Sequence, residues 1–250
     1  MKFCALRSIV AILLAVSWSS VRAGDEVDPA VVEALTGKLS MPAMGLRVES
    51  VSASDLPGLY EVQYADGGPV VYATGNGDFF LLGDLYTVTP DGFVNLAEQR
   101  RDGQRREKMA AVKREDMIVF SPEGEPRAHI NVFTDVTCFY CQKLHREVPE
   151  LNRRGVEVRY LAYPRAGTDS DGYRKLVSAW CADDPRDALT RLKQKESVKE
   201  NLCTPNPIAQ QYRLGQEMGV RGTPAIVTED GQMIPGYQSA DELMVTLGLN

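Results

Sequence analysis

The sequence has little of what several classes of protein depend on. It carries 28 Lys and Arg against 34 Asp and Glu, so it lacks the basic excess with which proteins bind nucleic acid. Beyond its N-terminal segment it has no apolar run near the roughly 20 residues that a membrane-spanning helix needs. It has no internal repeat and no low-complexity tract. With 44% hydrophobic residues over 250 positions, it is predicted to be a globular protein of one or two domains.

The N-terminal segment itself has the pattern of an export signal. A short basic stretch around Lys2 and Arg7 precedes an apolar run at residues 9–18, and Ala23 ends a small-residue cleavage site. The apolar run is too short for a membrane anchor. We therefore predict a signal peptide over residues 1–23 and export of the mature chain.

Cysteine is scarce, and its spacing is informative. The chain has five cysteines, of which Cys4 leaves with the signal peptide. The four that remain form an even set, as is typical of disulfides in an exported protein. Cys138 and Cys141 form a C-x-x-C, and this spacing favours Cys181 with Cys203 as a second bridge. We expect the first pair to be reactive and the second to be structural.

The first half of the mature chain predicts a small sheet and little helix. After one short helix, residues 47–88 contain short alternating segments separated by glycine turns, which predict an antiparallel sheet. Such a sheet has open edges and a limited core, so oligomerisation is a natural way to complete it.

A highly charged segment separates this part from the rest. Twelve of the nineteen residues from Glu98 to Asp116 are charged, with both signs interspersed. Such a run predicts a solvated linker helix rather than a basic docking patch. We assign residues 24–97 to an N-terminal domain, 98–117 to the linker helix and 118–250 to a catalytic domain.

The last part has an α/β pattern. Apolar periodicity and capping residues predict a strand, a helix, a strand, two helical stretches, a hairpin and a last helix that begins at Ser239. The predicted ranges are, in order, 130–134, 138–152, 156–161, 172–198, 206–218, and 225–228 with 232–235.

A C-x-x-C at the start of a helix that follows a buried strand has a specific chemistry. The positive potential of the helix N-terminus lowers the pKa of the first sulfur and favours the thiolate that attacks disulfides. The second thiol, three residues on, is within reach to resolve the mixed disulfide. Cys138 is therefore the predicted nucleophile and Cys141 the resolving cysteine. Phe139 and Tyr140 between them add no charge and are expected to tune the redox poise through packing.

Two other interpretations of these cysteines exist. His129 and His145 could join Cys138 and Cys141 as zinc ligands, but zinc sites usually show a second paired motif. The pair could also be an inert disulfide, although this spacing is unusual for a simple staple. Redox chemistry is favoured, with no metal and no cofactor, and His145 is interpreted as a helix-face histidine without a catalytic role.

Far along the chain, Gly222-Thr223-Pro224 stands directly before a predicted strand. Most prolines only punctuate turns, so the motif is weak evidence alone. At this place in a C-x-x-C domain, it predicts a cis peptide bond packed against the active cysteines.

Several of these motifs together carry a family resemblance. The matching segments are VFTDVTCFYC at 132–141, KLH at 143–145, VRYLAYPR at 158–165, Trp180-Cys181, Gly222-Thr223-Pro224-Ala225 and Pro235-Gly236-Tyr237. They closely resemble the DsbC/DsbG family of periplasmic protein disulfide isomerases, more its DsbC branch than its DsbG branch. The resemblance extends over essentially the whole mature chain.

The resemblance implies an α+β fold in which a thioredoxin-like catalytic domain with a helical insertion is joined, by a linker helix, to a small cystatin-like dimerisation domain. It implies a periplasmic, V-shaped homodimer whose uncharged cleft holds misfolded exported proteins with wrong disulfides. It also implies that the membrane reductase DsbD keeps Cys138 and Cys141 reduced, that Cys181–Cys203 is structural, and that Thr223 and cis-Pro224 face the active site.

One position departs from the family pattern. Phe139 stands where the DsbC branch typically has glycine, so redox potential and substrate access are expected to differ from the family type. Within this reaction class, a thiol oxidase or a DsbG-like reductase of sulfenylated cysteines is the rival. A holdase chaperone with incidental cysteines is the alternative from another class.

Overall fold

A computed structural model describes residues 27–90 and 92–249 of the chain. The predicted signal peptide, residues 1–23, lies outside the described residues. Within the two described ranges, no helix has both the length and the apolar character that a membrane crossing requires.

The N-terminal part is one helix on a four-stranded antiparallel sheet, followed by a hairpin. Asp28 accepts a hydrogen bond from the Ala30 amide, and Pro29 opens the helix, so the chain enters α1 with a satisfied cap. Leu35 and Leu39 of this helix pack on the sheet. The elements are α1 (Pro29–Leu39), β1 (Val48–Ala53), β2 (Leu59–Tyr64), β3 (Val70–Thr74), β4 (Phe80–Leu82), β5 (Tyr86–Thr89) and β6 (Gly92–Asn95), with sheet order β1-β2-β3-β4 and a separate β5-β6 hairpin.

The charged segment forms α2 (Leu96–Ala110), which begins at the Asn95 cap and is followed by a 3-10 turn at Arg114–Asp116. The helix begins two residues before the predicted range of 98–117 and ends seven residues before the end of that range. The prediction of a solvated helix holds for most of its length but not for the face that carries Arg105 and Met109, which are buried. Arg105 Nε donates to the Met218 carbonyl of the C-terminal part at 3.2 Å, and Met109 packs in an apolar cluster with Met218.

The C-terminal part is a five-stranded sheet with helices packed around it. Strands β8 and β9 are parallel, and the other neighbours are antiparallel. The elements are β7 (Ile118–Phe120), β8 (Ala128–Thr134), α3 (Phe139–Arg153), β9 (Val156–Ala162), α4 (Asp171–Trp180), α5 (Pro185–Lys193), α6 (Ile208–Glu217), β10 (Ala225–Thr228), β11 (Met233–Pro235) and α7 (Ala240–Thr246), with sheet order β11-β10-β8-β9-β7. Strands β6 and β7 have no counterpart among the strands predicted from the sequence.

The insertion between β9 and α6 consists of two helices and an extended return. The single helical stretch predicted for 172–198 is wrong, because α4 ends at Trp180, with Cys181 as its C-cap, and a new cap starts α5. Asp184 accepts from two amides of the next turn, and Pro185 follows at the first helical position. A disulfide joins Cys181 to Cys203 and so closes the insertion.

Candidate active site

The two free cysteines lie where a buried strand passes into a helix. Strand β8 ends at Thr134, and Cys138 is the N-cap of α3. The first turn of α3 carries Cys141, which faces inward and is only 1% exposed. The strand and helix thus fix both sulfurs at the carboxyl end of the central strand β8, with the helix N-terminus directed at Cys138.

Asp135 organises the loop that precedes Cys138. Its Oδ1 accepts from the Thr137 amide and hydroxyl, each at 2.7 Å, and its Oδ2 accepts from the Arg165 amide at 2.9 Å. Burial raises the pKa of Asp135, but these hydrogen bonds outweigh burial and hold that pKa below its usual value. The Asp135 carboxylate therefore stays ionised and keeps the loop in one conformation.

Cys138 is the more acidic of the two thiols. Its pKa falls to about 5, first because the Cys141 thiol donates to its sulfur and then because the Thr223 side chain and the Cys141 amide donate as well. Burial opposes this fall. As a thiol, Cys138 Sγ lies 3.1 Å from the Thr223 carbonyl. At neutral pH the sulfur is a thiolate, which is the form that attacks disulfides.

Cys141 has the opposite character. Burial raises the pKa of its thiol far above the ordinary value, and the hydrogen bond that it donates to Cys138 raises it further. The pair therefore holds one proton on the inner sulfur and one negative charge on the outer sulfur. This division is the one that a nucleophile and a resolving thiol require.

Thr223 and Pro224 lie beside the cysteines, in the loop that leads into β10, the neighbour of β8. Their peptide bond is cis, and β10, which starts at Ala225, pairs with β8. The Thr223 hydroxyl is buried and has no other partner among the described residues, so it is free to donate to the Cys138 thiolate. The structure brings together Cys138, Cys141, Thr223 and Pro224, which the sequence placed at one site.

Phe139 and Tyr140 lie on the surface of the first turn of α3. They are 61% and 55% exposed, and their ring centres are 5.4 Å apart in an edge-on arrangement. Two exposed aromatic rings in contact form an apolar patch of the kind that marks a binding surface. They form the rim next to the nucleophile.

The two histidines are engaged elsewhere. His129 Nδ1 lies 2.7 Å from Glu229. His145 Nδ1 lies 3.0 Å from the Tyr160 hydroxyl, and its Nε2 lies 3.0 Å from the Thr190 hydroxyl. Within residues 27–90 and 92–249, no group of three His, Cys, Asp or Glu side chains is arranged to hold a metal ion. Burial lowers the pKa of His145 to about 4, so its ring is neutral. His145 therefore lies on the buried face of α3, with both ring nitrogens hydrogen-bonded.

Three charged residues of this site were not found from the sequence. Asp135 had a local signal, since an Asp two residues before a threonine at a helix start is typical of an Asx turn. Arg165 and Lys193 had none, because they come from the loop after β9 and from the insertion. Lys193 is buried and donates to Thr134 and to the Asp135 carbonyl.

Comparison with known proteins agrees with this geometry. Residues 23–98 match a family model described as the disulfide bond isomerase protein N-terminal domain, and residues 113–248 match a thioredoxin-like domain model. The chain is 37% identical over 208 residues to the thiol:disulfide interchange protein DsbC of Salmonella typhimurium, covering 83% of this chain and 84% of that protein. It is 35% identical over 204 residues to DsbC of Escherichia coli K12, covering 82% and 83%.

A solved structure shares the fold. The chain aligns with a linker-deletion mutant of Proteus mirabilis ScsC at a TM-score of 0.52 and 18% identity, covering 61% of this chain and 83% of that one. The fold is thus thioredoxin-like with a separate DsbC N-terminal domain. The chain belongs to the DsbC family of thiol:disulfide interchange proteins.

Proposed function

We propose that this protein is an exported disulfide isomerase that reshuffles or reduces wrong disulfides in other exported proteins. The observation that carries the proposal is the unequal placement of two free thiols at the start of α3, where Cys138 caps the helix beside Thr223 and Cys141 lies in the first turn behind it. Cys138 is held as a thiolate, and Cys141 keeps its proton beneath it. An inert disulfide or a passive chaperone needs no such asymmetry.

The reaction begins with attack by Cys138 on a substrate disulfide. Its thiolate forms a bond to one substrate sulfur, the substrate S–S bond breaks, and its electron pair leaves with the other sulfur, which takes up a proton. The mixed disulfide lies at the rim formed by Phe139 and Tyr140, next to Thr223 and Pro224. Exposed aromatic rings there suit the apolar segments that a misfolded chain leaves uncovered.

Two routes release the enzyme. In isomerisation, a free substrate thiolate attacks a different substrate sulfur, and Cys138 leaves again as a thiolate with no net change in oxidation state. In reduction, Cys141 attacks Cys138 Sγ, the enzyme becomes the disulfide, and the substrate leaves with two thiols. Only the second route consumes reducing equivalents.

Reduction requires an electron donor. We assign this role to the membrane reductase DsbD, which would return two electrons to Cys138–Cys141 by thiol exchange in the periplasm. The family relationship and the export signal in the sequence support this assignment. A thiol oxidase of the same fold would need the opposite poise, with the pair held oxidised.

The protein acts as a homodimer joined through its N-terminal domains. Strand β4 is an edge strand, and its residues Phe80, Leu81 and Leu82 are 58–66% exposed. Val88 and Phe93 of the neighbouring hairpin are 76% and 77% exposed. Open edges and exposed apolar side chains are what a second copy would cover, and two catalytic domains could then hold one client by avidity.

A trapping experiment tests the proposed chemistry. Cys141→Ala removes the resolving thiol, so the protein is expected to accumulate as a mixed disulfide with exported proteins through Cys138. The matched control is Cys138→Ala, which should trap nothing. If Cys141→Ala forms no mixed disulfides in cells, the proposal is wrong. If the unchanged protein is found oxidised at Cys138–Cys141 in cells, the oxidase interpretation replaces it.

A further inference from the structure

A buried lysine lies beside the dithiol, and the chemistry described so far does not use it. Lys193 is only 3% exposed, although it belongs to α5 in the insertion. Its Nζ donates to Thr134 Oγ1 at 2.5 Å and to the Asp135 carbonyl at 3.1 Å. A buried ammonium is costly to desolvate, so one retained here must be compensated by more than two neutral acceptors.

The two hydrogen bonds tie Lys193 to the active-site loop. The Asp135 carbonyl that accepts from Lys193 also accepts from the Cys138 amide at 3.2 Å. The ammonium and the nucleophile's own backbone thus share one acceptor atom. Lys193 is therefore fixed relative to the dithiol and not merely near it.

The packing of two helices brings Lys193 to the face of α3 that carries Cys141. Cys141 and His145 are four residues apart on α3, and Thr190 and Lys193 are three apart on α5, so each pair shares a helix face. His145 Nε2 lies 3.0 Å from Thr190 Oγ1, which holds the two faces together. Lys193 Nζ is 5.8 Å from the centre of the buried Tyr160 ring.

The charges around Lys193 leave a thiolate as its natural counter-ion. The Asp135 carboxylate is engaged by Arg165 and Thr137. Among the ion pairs of the described residues, none includes Lys193. The other ionisable groups that bear on it are Cys138, Cys141, Arg165 and His145, and of these only the two cysteines can become anions.

The pKa directions agree with this arrangement. Burial raises the pKa of the Cys141 thiol, and the positive charge of Lys193 opposes that rise. Burial lowers the pKa of Lys193, and the two cysteine sulfurs and Asp135 oppose that fall. Each group thus favours the charged form of the other.

We propose that Lys193 is a positioning residue of the exchange reaction, whose ammonium stabilises the Cys141 thiolate that resolves a mixed disulfide. The inference rests on the proposed dithiol function. In the step concerned, Cys141 loses its proton to water and its sulfur bonds to Cys138 Sγ. The bond from Cys138 to the substrate sulfur breaks, and that sulfur leaves with the electron pair and gains a proton from water.

This role decides how a mixed disulfide ends. Isomerisation needs time for a substrate thiol to attack, whereas reduction needs the Cys141 thiolate. By setting how readily Cys141 ionises, Lys193 sets the division between the two routes. The insertion, closed by Cys181–Cys203, would then supply a functional side chain to the site as well as pack on the sheet.

The test measures the two steps separately with oxidised glutathione as the substrate. Rapid acid quench and intact-mass analysis follow formation of the Cys138–glutathione mixed disulfide and its resolution by Cys141. Lys193→Met and Lys193→Gln are both expected to slow resolution at pH 7 about tenfold, the effect of one unit in the thiol pKa. Lys193→Arg keeps the charge and should resolve close to the rate of the unchanged protein. Lys175→Met, on exposed α4, removes one charge from the same insertion and should change nothing.

The two neutral variants separate charge from structure. Glutamine can still donate to Thr134 and Asp135, so a purely structural role predicts that Lys193→Gln restores the rate that Lys193→Met loses. Lys193→Gln also serves as the neutral variant if Lys193→Met does not fold. Resolution at the unchanged rate in a folded Lys193→Gln protein would overturn the inference. If the unchanged protein forms no mixed disulfide at all, the proposed function itself fails.

Discussion

At the scale of single residues, the site works because two cysteines three positions apart have different surroundings. Cys138 caps a helix and accepts hydrogen bonds, whereas Cys141 lies deeper in the domain, keeps its proton and donates a hydrogen bond to Cys138. In the proposed reaction, the same side chain therefore serves as nucleophile in one place and as a latent thiol in the other. Burial and hydrogen bonding decide the difference, not residue type.

The ionisation of Cys138 gives a direct pH prediction. With a pKa of about 5, the sulfur is a thiolate above that pH and a thiol below it. In the reduced protein, alkylation of Cys138 by iodoacetamide, followed by peptide mass analysis, should reach half its plateau rate near pH 5. An ordinary thiol would reach it more than three units higher.

The variant Cys141→Ala tests what causes the low pKa of Cys138. It removes the hydrogen bond that contributes most to the low pKa of Cys138, so the midpoint of alkylation should move to higher pH. Thr223→Val removes a smaller contribution and should move it less. An unchanged midpoint in Cys141→Ala would mean that the helix N-terminus alone keeps Cys138 ionised.

The sequence predicted the residues of the site that belong to local motifs. Cys138 and Cys141 stand out by spacing, and Pro224 by its place before a strand. Arg165 and Lys193 could not be found in this way, because only the packing of a loop and a helical insertion brings them to Asp135. Side chains that meet across such distances leave no periodic pattern in one sequence.

At the scale of elements, the insertion depends on its disulfide. Helices α4 and α5 are short, and the return from α5 to α6 has little regular structure. Cys181 and Cys203 are separated by 22 positions, and closing a loop of that length restricts the unfolded chain.

Removing the bridge should destabilise the protein. The double variant Cys181→Ala/Cys203→Ala is expected to lose about 3 kcal/mol of unfolding free energy on the loop-entropy model, measured by urea denaturation. Cys138→Ala/Cys141→Ala removes two cysteines without removing the bridge and is the control. A double variant at 181 and 203 as stable as the unchanged protein would show that packing alone holds the insertion.

A buried arginine is one of the contacts that hold helix α2 to the C-terminal part, beside the Lys108–Glu217 ion pair and the packing of Met109. Arg105 Nη1 contacts Glu98 at 2.6 Å and Asp102 at 2.8 Å, while its Nε donates to the Met218 carbonyl. Arg105→Ala removes the donor to Asp102 and to the Met218 carbonyl, while Arg101 still pairs with Glu98, and should cost about 2 kcal/mol, with faster hydrogen exchange in α2. Arg106→Ala, on the exposed side of the same helix, should do neither. Equal exchange in both variants would contradict the docking of α2 through Arg105.

Elements with strong periodicity were predictable and short or charged ones were not. Helix α3 and strands β8 and β9 follow clear apolar patterns. Strand β7 has only three residues, Ile118–Phe120, and its pairing with β9 is set by tertiary contact. The burial of Arg105 was hidden in a charge run, because a guanidinium that satisfies its donors inside the fold looks like any other surface charge in the sequence.

At the scale of the whole molecule, the proposed function has two catalytic domains act on one client. The exposed apolar edge of the N-terminal domain is the surface expected to join them. Phe80 and Leu82 share one face of β4, since they are two residues apart on a strand.

Charge on that face should separate the copies. Phe80→Lys/Leu82→Lys is expected to halve the mass measured by sedimentation, to leave alkylation of Cys138 unchanged, and to lower isomerase yield severalfold by loss of avidity. Val245→Lys, on an exposed apolar residue of α7, is the control and should stay dimeric. A double variant that remains dimeric would show that the dimer interface does not include this face of β4.

The most direct test of the proposed function is recovery of activity from a scrambled, fully oxidised multi-disulfide enzyme, with catalytic amounts of the reduced mature chain. Recovery is expected with the unchanged protein and should be lost with Cys138→Ala, because only the Cys138 thiolate can start the exchange. Equal recovery with Cys138→Ala would contradict disulfide isomerisation and leave a chaperone in its place.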